Sequence, residues 1–311
     1  MSNTEDHIKD QHLNNFDDGK NVNKEEKNAL FKKMKLNETK ETLDPCKPWI
    51  MRLDGHKFGK FTRPFDRPFD MRIHNAMAET CKALMETFRP STIFTCSDEI
   101  TLVFPALNKV DDPEPRVPIF SGRVQKITSL ASGLASITFD RHITKLCQDN
   151  QKLLEHIGRL PPYFDARIHV VESDMDALEN IVWRCHYDYK RNSVSTCAFA
   201  HFSKKQLFKV STNQKLEKLR SIGHPWESLP NVFKYGLFIK KESHEVTMMV
   251  DKNNKLFKSL AHDENVEDGT ITVTRTRTVQ LSFELKDLNE ENIHFIMSKT
   301  LPSTHTQYRL E

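Results

Sequence analysis

The 311-residue chain carries 46 Lys and Arg against 43 Asp and Glu, a formal charge of +3, which excludes a protein that wraps nucleic acid by charge alone. That length suits one large domain or two modest ones with a substantial core. With 37% hydrophobic and 29% charged residues and a mean hydropathy of −0.60, no window approaches the roughly 18 consecutive apolar residues of a membrane span, so no membrane role is expected. The expected address is the cytoplasm, with the nucleus open.

In chain order, residues 1–45 form a polar segment with ten acidic and eight basic side chains, and its composition predicts disorder, above all in the first 25 or so positions. Order begins near Lys47, where KPWIMRLDG reads as a buried strand stopped by Asp54-Gly55. From Asp70 to Phe88, Ile73, Met77, Cys81, Leu84, Met85 and Phe88 recur at helical spacing. Thr92–Cys96 and Ile100–Phe104 read as a hairpin with Ser97, Asp98 and Glu99 at its tip. The proline-rich residues 107–118 read as a loop, and a second amphipathic helix runs from Ser121 to about Thr138. Phe164 to Val171 is a further strand, Asp174 to about Phe199 a helix. Val232–Lys240, Glu245–Val250 and Thr270–Leu285 read as strands, with a polar loop over 252–269. The six scattered cysteines have no zinc-binding spacing and read as reduced thiols.

The order strand, helix, strand, strand, helix, strand predicts an α+β fold, the ferredoxin-like βαββαβ antiparallel sheet with both helices on one face, followed by a C-terminal α/β extension. The expected organisation is a polar segment 1–45, a catalytic domain 46–200 and an extension 201–311. In such a sheet the first strand and the first hairpin strand are expected to be neighbours. Asp54 and Asp98 would then sit at the ends of adjacent strands, the hard-oxygen arrangement that Mg²⁺ takes in phosphoryl transfer. Asp-Gly and Ser-Asp-Glu are equally ordinary turn chemistry. Arg123 and Lys126 lie on a helix that could face the same edge and meet a polyphosphate, or could be a solvated basic face. The stretch His56 to Lys60 offers backbone amides for an anion nest or forms a plain loop.

Taken together, Arg52-Leu53-Asp54-Gly55-His56-Lys57-Phe58, Arg67-Pro68-Phe69-Asp70, Ser97-Asp98-Glu99, Arg123-Val124-Gln125-Lys126, Phe164-Asp165-Ala166-Arg167 and Lys234-Tyr235-Gly236 resemble the tRNA-histidine guanylyltransferase superfamily in order and spacing. The resemblance runs from about Lys47 to Gly236. It implies a polymerase palm-like fold and two Mg²⁺ ions held by Asp54, Asp98 and the Gly55 carbonyl, with Glu99 in support. It also implies that His56, Lys57, Phe58, Gly59, Asp70 and Ser97 hold an incoming nucleoside triphosphate, and that Arg123 and Lys126 face the activating nucleotide and the RNA 5′ end. Asp188 and Asn192 match positions that support the site, while Gly59 falls where many relatives have His.

True guanylyltransferases carry a His-Ile-Asn-Asn-type motif on the helix after the fourth strand. Here Asp188-x-x-Arg191-Asn192-Ser193 resembles instead the guanylyltransferase-like branch of 3′-5′ RNA polymerases, and His186 is not in that histidine's place. The implied activity is template-dependent addition of nucleotides to the 5′ end of tRNA or another structured RNA, after ATP activates its 5′-monophosphate, with GTP or other triphosphates as further substrates. The implied assembly is a homo-oligomer, a dimer or tetramer. The alternatives are a tRNA-histidine guanylyltransferase adding one G, a nucleotide cyclase on the same palm, and a non-catalytic RNA-binding protein.

Overall fold

The computed structural model describes residues 24–36, 39–249, 266–267 and 270–310. By its contacts the chain divides into two units, 1–41 and 42–311. In the first, helix α1 (Lys24–Leu36) is formed where disorder is expected. Its KEEKNALFKKMKL is built almost wholly of good helix formers, which a composition-based reading of polarity overlooks. Leu30, Phe31, Met34 and Leu36 on it are all exposed. The disorder expected for residues 1–23 lies outside the described residues.

The second unit is built on one sheet. Its strands are β1 (Trp49–Gly55), β2 (Thr92–Cys96), β3 (Glu99–Phe104), β4 (Phe164–Val170), β5 (Leu237–Met249), β6 (Val266–Glu267) and β7 (Thr270–Leu281), in the spatial order β4-β1-β3-β2-β5-β7-β6, every pair antiparallel. One expected neighbour is wrong: β1 lies between β3 and β4, not beside the first hairpin strand. The crossover from β1 through α2 (Met71–Phe88) to β2 leaves one strand's width open, and the returning arm of the hairpin fills it.

Strand alternation divides the core in two. Trp49, Met51, Leu53, Ile93, Ile100 and Leu102 face α2 and α3 (Val124–Leu146), with α4 (Gln151–Arg159) at the margin. The buried stripe of α3 is Ile127, Ala131, Ala135, Phe139 and Ile143, a strict four-residue repeat that extends the helix two turns past the expected Thr138. Ile50, Phe94, Val103 and Phe238 point the other way, against α5 (Asp174–Val182) and the C-terminal segment. Both crossover helices share one face, and the second face is covered as well. Because Ile50 is buried while Arg52 and Asp54 on the same face are partly open, the cover thins toward the end of β1.

The expected helix 174–199 is three pieces. α5 passes into a π-helical segment, Trp183–Tyr189, and then into α6 (Lys190–His201). α6 packs on α7 (Thr212–Ser221) around Val194, Leu207, Leu219 and Trp226. Asn231–Tyr235 is a helical turn rather than the start of a strand, since Pro230 sets up a helix start. At Gly236 the backbone is left-handed (φ 78°), and a Cβ there would stand 2.7 Å from the Phe94 ring and 2.8 Å from the Thr95 carbonyl, so only glycine lets β5 dock on β2. β5 then runs unbroken through the Lys241-Glu242-Ser243-His244 gap between the two expected strands, because β7 pairs with it from Phe238 to Met249. Of the expected loop 252–269, all but Val266–Glu267 lies outside the described residues. Helix α8 (Glu290–Met297) completes the second face through Phe295 and Ile296. All six cysteines are free thiols, and among the described residues no helix is long and apolar enough to cross a membrane.

Lys240 of β5 is fully buried and, among the described residues, has no carboxylate partner. Its Nζ donates to Thr92 Oγ1 at 2.9 Å and to the carbonyls of Phe295 and Ser298 at 2.6 Å each, tying β2, β5 and α8 together. Burial lowers its pKa from 10.5 to about 7. The unfolded chain therefore binds more protons than the folded one between pH 7 and 10, and stability from this group rises with pH across that window and is constant below it. Relative to Lys240→Met, the wild-type protein is expected to gain stability from pH 7 to pH 10 in urea titrations; parallel curves would show that the amine stays protonated.

Candidate active site

Chain direction decides which residues can meet. β1 ends at Asp54-Gly55, β2 arrives at the same end, and β3 departs from it after the hairpin. In register, Asp54 stands opposite Glu99 on one side and Asp165 on the other. The Gly55 amide donates to the Asp98 carbonyl at 3.0 Å, which stitches the hairpin tip to the end of β1. At that tip Ser97 is left-handed (φ 54°) and its hydroxyl donates to Asp98 Oδ1 at 3.0 Å. Asp54, Asp98 and Glu99 are thus held at one sheet end by backbone hydrogen bonds. A Cβ at Gly55 would lie 2.3 Å from the Phe58 ring, so the space beside this glycine belongs to the protein's own core.

Two arginines hold the acids together. Arg52 Nη2 lies 2.7 Å from Asp54 Oδ2, and its Nε 3.0 Å from Glu99 Oε2. Arg184 Nη1, from the π-helical segment, lies 3.2 Å from Glu99 Oε2 and 3.6 Å from Asp188 Oδ2. Arg191 donates to Asp188 Oδ1 at 2.8 Å, and Asn192 Nδ2 donates to the same oxygen at 3.4 Å. Burial raises the pKa of Asp98, with the Asp54 charge adding to it and the Ser97 hydroxyl opposing. Burial likewise raises Glu99, against Arg184 and Arg52, while Asp54 and Asp188 push it further up. Glu99 Oε1 is buried and has no hydrogen-bond donor among the described residues. Repelling carboxylates and an unpartnered buried oxygen fit a divalent cation of the Mg²⁺ type. Among the described residues no three His, Cys, Asp or Glu side chains form a closed metal cage, so phosphate and water would complete the coordination.

A cavity of about 480 Å³ opens beside Asp98, Glu99 and Asp188, while Asp54 is not part of its lining. Ser97, Asp98, Glu99, Asp188 and Asn192 line one end; Ile73, His74, Met77, Phe69 and Phe233 line an apolar part. The Phe69 and Phe233 rings stack at 4.6 Å, with His74 edge-on to Phe233 at 5.7 Å. Burial lowers the His74 pKa and so favours the neutral imidazole. Arg63 and Arg67 supply cations on the remaining wall, next to Gly59 and Phe58.

The other expected residues are placed as follows. His56 and Lys57 are exposed at the turn after β1 and do not line the cavity; the His56 ring stacks on Tyr163 at 4.8 Å. Lys57 is left-handed and precedes the helical turn Phe58–Phe61, whose first amides have no carbonyl ahead of them within the turn. Phe58 is buried against Phe61, Phe139 and Phe164, so its ring is core first and cavity wall second. Asp70 lines the cavity but both its oxygens are engaged: it caps α2 through the Arg72 amide at 2.8 Å, accepts from the Asp66 amide at 2.9 Å, and binds the Arg72 guanidinium at 2.6 and 3.0 Å. His186 is held 3.0 Å from Glu284, away from the acid cluster.

Arg123 and Lys126 do not share the acid edge. They begin α3 at its opposite end, where Phe120 meets Phe88 at the close of α2, and Lys126 lies over the Phe120 ring at 5.3 Å. α3 reaches the acid end only at Ser136, which accepts from the Phe164 amide, and at Phe139. Thirteen residues at 1.5 Å separate Lys126 from Phe139, about 20 Å. Among the described residues Arg52, Arg184 and Arg191 pair with these acids, and Arg63 and Arg67 line the adjoining cavity. Arg52 was legible in the sequence, two residues before Asp54 on the same strand face; Arg184 was not, because the π-helical turn changes the phase of the helix.

Residues 31–172 match the family model for tRNAHis guanylyltransferase (Thg1). The chain is 33% identical over 211 residues to an uncharacterized protein of Acanthamoeba polyphaga mimivirus, covering 64% of this chain and 72% of that protein. It belongs to the tRNA-histidine guanylyltransferase superfamily. It is also 24% identical over 289 residues to tRNA(His) guanylyltransferase 1 of Arabidopsis thaliana, covering 84% of this chain but only about half, 48%, of that relative. Among solved structures it resembles a bacterial tRNA(His) guanylyltransferase (Thg1)-like protein in complex with ATP, with a TM-score of 0.59 and 27% identity over 69% of this chain and 86% of the other. The superfamily is one of nucleotidyltransferases acting on tRNA.

Hydrogen bonds from Arg72 and the two amides outweigh the burial that would raise Asp70, and hold its carboxyl below the ordinary carboxylate range. Its contribution is therefore complete above the ordinary pKa and lost as pH falls through the lower folded value. Asp70→Ala is expected to cost about 1 to 2 kcal/mol at pH 7, as a lost helix cap does, with the gap narrowing in denaturant titrations as pH falls below the ordinary carboxylate range. An Asp70→Ala protein as stable as wild type at pH 7 would deny the capping role.

Proposed function

We propose that this protein adds nucleotides to the 5′ end of tRNA or a related RNA in the 3′-5′ direction, reading a template and repairing truncated 5′ ends. The observation that carries the reading is the cavity that joins an apolar, aromatic wall to the Asp98-Glu99 edge: it suits a nucleobase whose phosphates reach the acids. Phe69, Phe233 and the neutral His74 would hold the base, and Arg63, Arg67 and the first amides of the Phe58–Phe61 turn would hold phosphates. Asp54 and Asp98 would hold Mg²⁺, with the Gly55 carbonyl as a further ligand. When bound, the metal would activate the attacking hydroxyl and offset charge on the phosphates.

In the first step a 5′-phosphate oxygen of the RNA attacks the α-phosphorus of ATP and pyrophosphate leaves. In the second, the 3′-hydroxyl of the incoming triphosphate attacks the activated 5′ phosphorus and AMP leaves. Positioning carries both steps, which is where the rigid hairpin tip and the Arg52–Arg184 pairs contribute. The templated reading is supported by Asp188-x-x-Arg191-Asn192-Ser193 and by His186 facing Glu284 rather than the cavity. Addition of a single G is the second reading, favoured by the name of the plant relative.

Asp54→Ala and Asp98→Ala are each expected to reduce nucleotide addition by at least 100-fold in single-turnover assays, with unchanged circular dichroism. Retained activity in either would remove that acid from the site. On 5′-truncated tRNAs that differ only in the base opposite the vacant position, the added nucleotide should follow the opposing base, and a chemically blocked RNA 3′ end should not prevent addition. G added whatever the opposing base would establish the guanylyltransferase reading instead.

A further inference from the structure

Beyond the cavity wall the charge changes character. From His201 to Arg220 the chain has six Lys or Arg and one acid, Glu217, a surplus larger than the +3 of the whole protein. Arg220 is paired with Glu227, but Lys204, Lys205, Lys209, Lys215 and Lys218 have no carboxylate partner among the described residues. Lys204, Lys205 and Lys209 are exposed on the connection between α6 and α7.

Aromatic rings are interleaved with them. Lys209 lies over Phe208 at 5.5 Å, Lys218 over Phe202 at 5.4 Å, and Lys215 over Phe199 at 5.9 Å. Phe208 is 73% exposed, while its neighbour Leu207, at 6%, is sunk into the core formed by α6 and α7. Leu207 therefore anchors the connection, and folding gains little from the Phe208 ring. Phe199 also lines the cavity, so the basic surface begins at the cavity mouth.

We propose that this shelf carries the RNA strand leading to the 5′ end under extension, with phosphates on Lys204, Lys205 and Lys209 and an unpaired base stacked on Phe208. The proposal rests on the reading of the cavity as the site of nucleotide addition to RNA. Lysines that track a backbone and an exposed ring that stacks any base are the elements of sequence-tolerant single-strand binding. An acidic peptide would satisfy the lysines and leave Phe208 in water; an unpaired nucleotide satisfies both.

The test is fluorescence anisotropy of the full chain with a 5′-overhang RNA over a range of salt, beside equilibrium ATP binding. Lys204→Glu/Lys205→Glu/Lys209→Glu is expected to weaken RNA binding and to reduce the slope of log K against log salt by about 2, since each single-strand phosphate contact contributes about 0.7. Phe208→Ala is expected to weaken RNA binding about tenfold. ATP binding should be unchanged in both. Unchanged RNA affinity and slope in both variants would overturn the proposal, as would equal losses for ATP and RNA, or loss of binding to phosphatidylserine vesicles with RNA binding intact. A wild-type protein that binds the RNA through this shelf but extends nothing would overturn the reading of the cavity and leave the shelf standing.

Discussion

Four carboxylates, Asp54, Asp98, Glu99 and Asp188, converge at one end of the sheet, and their mutual repulsion is the force the surrounding structure has to contain. Unpaired, they would drive the hairpin tip away from β1 or take up protons. Two arginines prevent this by lying between acids instead of beside single ones: Arg52 reaches Asp54 and Glu99, and Arg184 reaches Glu99 and Asp188. These charges are partly withdrawn from water, so removing one partner leaves the other only incompletely compensated. The cluster is therefore strongly interdependent. It also leaves Glu99 one oxygen short of a donor, a deficit that a cation at the site would meet.

Containment depends on elements distant in sequence. The π-helical segment that supplies Arg184 and Asp188 is backed by Cys185 and Tyr189, and the second face of the sheet is sealed by Phe238, Phe283 and Phe295 from the C-terminal part of the chain. β5 joins β2 through only Leu237, Ile239 and the intervening Phe238, yet Lys240 follows at once and fastens the same junction to α8. The C-terminal residues are thus part of the sheet that carries the acids, although none of them lines the acid end of the cavity.

Much of this was legible because period and turn chemistry are local. β1, the hairpin, α2 and β4 follow from alternation, a helical stripe and Asp-Gly or Ser-Asp punctuation. The misplacement of Arg123 and Lys126 has an instructive cause: helical spacing gives the buried face of a helix but not which of its ends meets the sheet edge. Chain direction supplies that, since β3 carries the chain away from the acids before α3 begins. The position of β3 inside the sheet was also recoverable, from the split βαβ arrangement, which leaves one strand's width between β1 and β2. The π-helical segment was not, because WRCHYDY has no composition that distinguishes it from an α-helix. Nor was the burial of Lys240, whose three acceptors come from two separated stretches of chain.

A π-helical turn holds one residue more than an α-helical turn for nearly the same path. Trp183–Tyr189 can be viewed as an absorbed insertion: Ile181 before it and Val194 after it are both fully buried, so the flanks keep their phase toward two different cores while the extra residue is taken up between them. Length at this point is consequently a free variable of the fold. Loss of one residue would relax the turn to an ordinary helix without dislodging either flank, yet it would rotate Arg184 and Asp188 relative to Glu99. Relatives could in this way acquire a different polar set over the same acids through a change in chain length alone, with no substitution in the sheet.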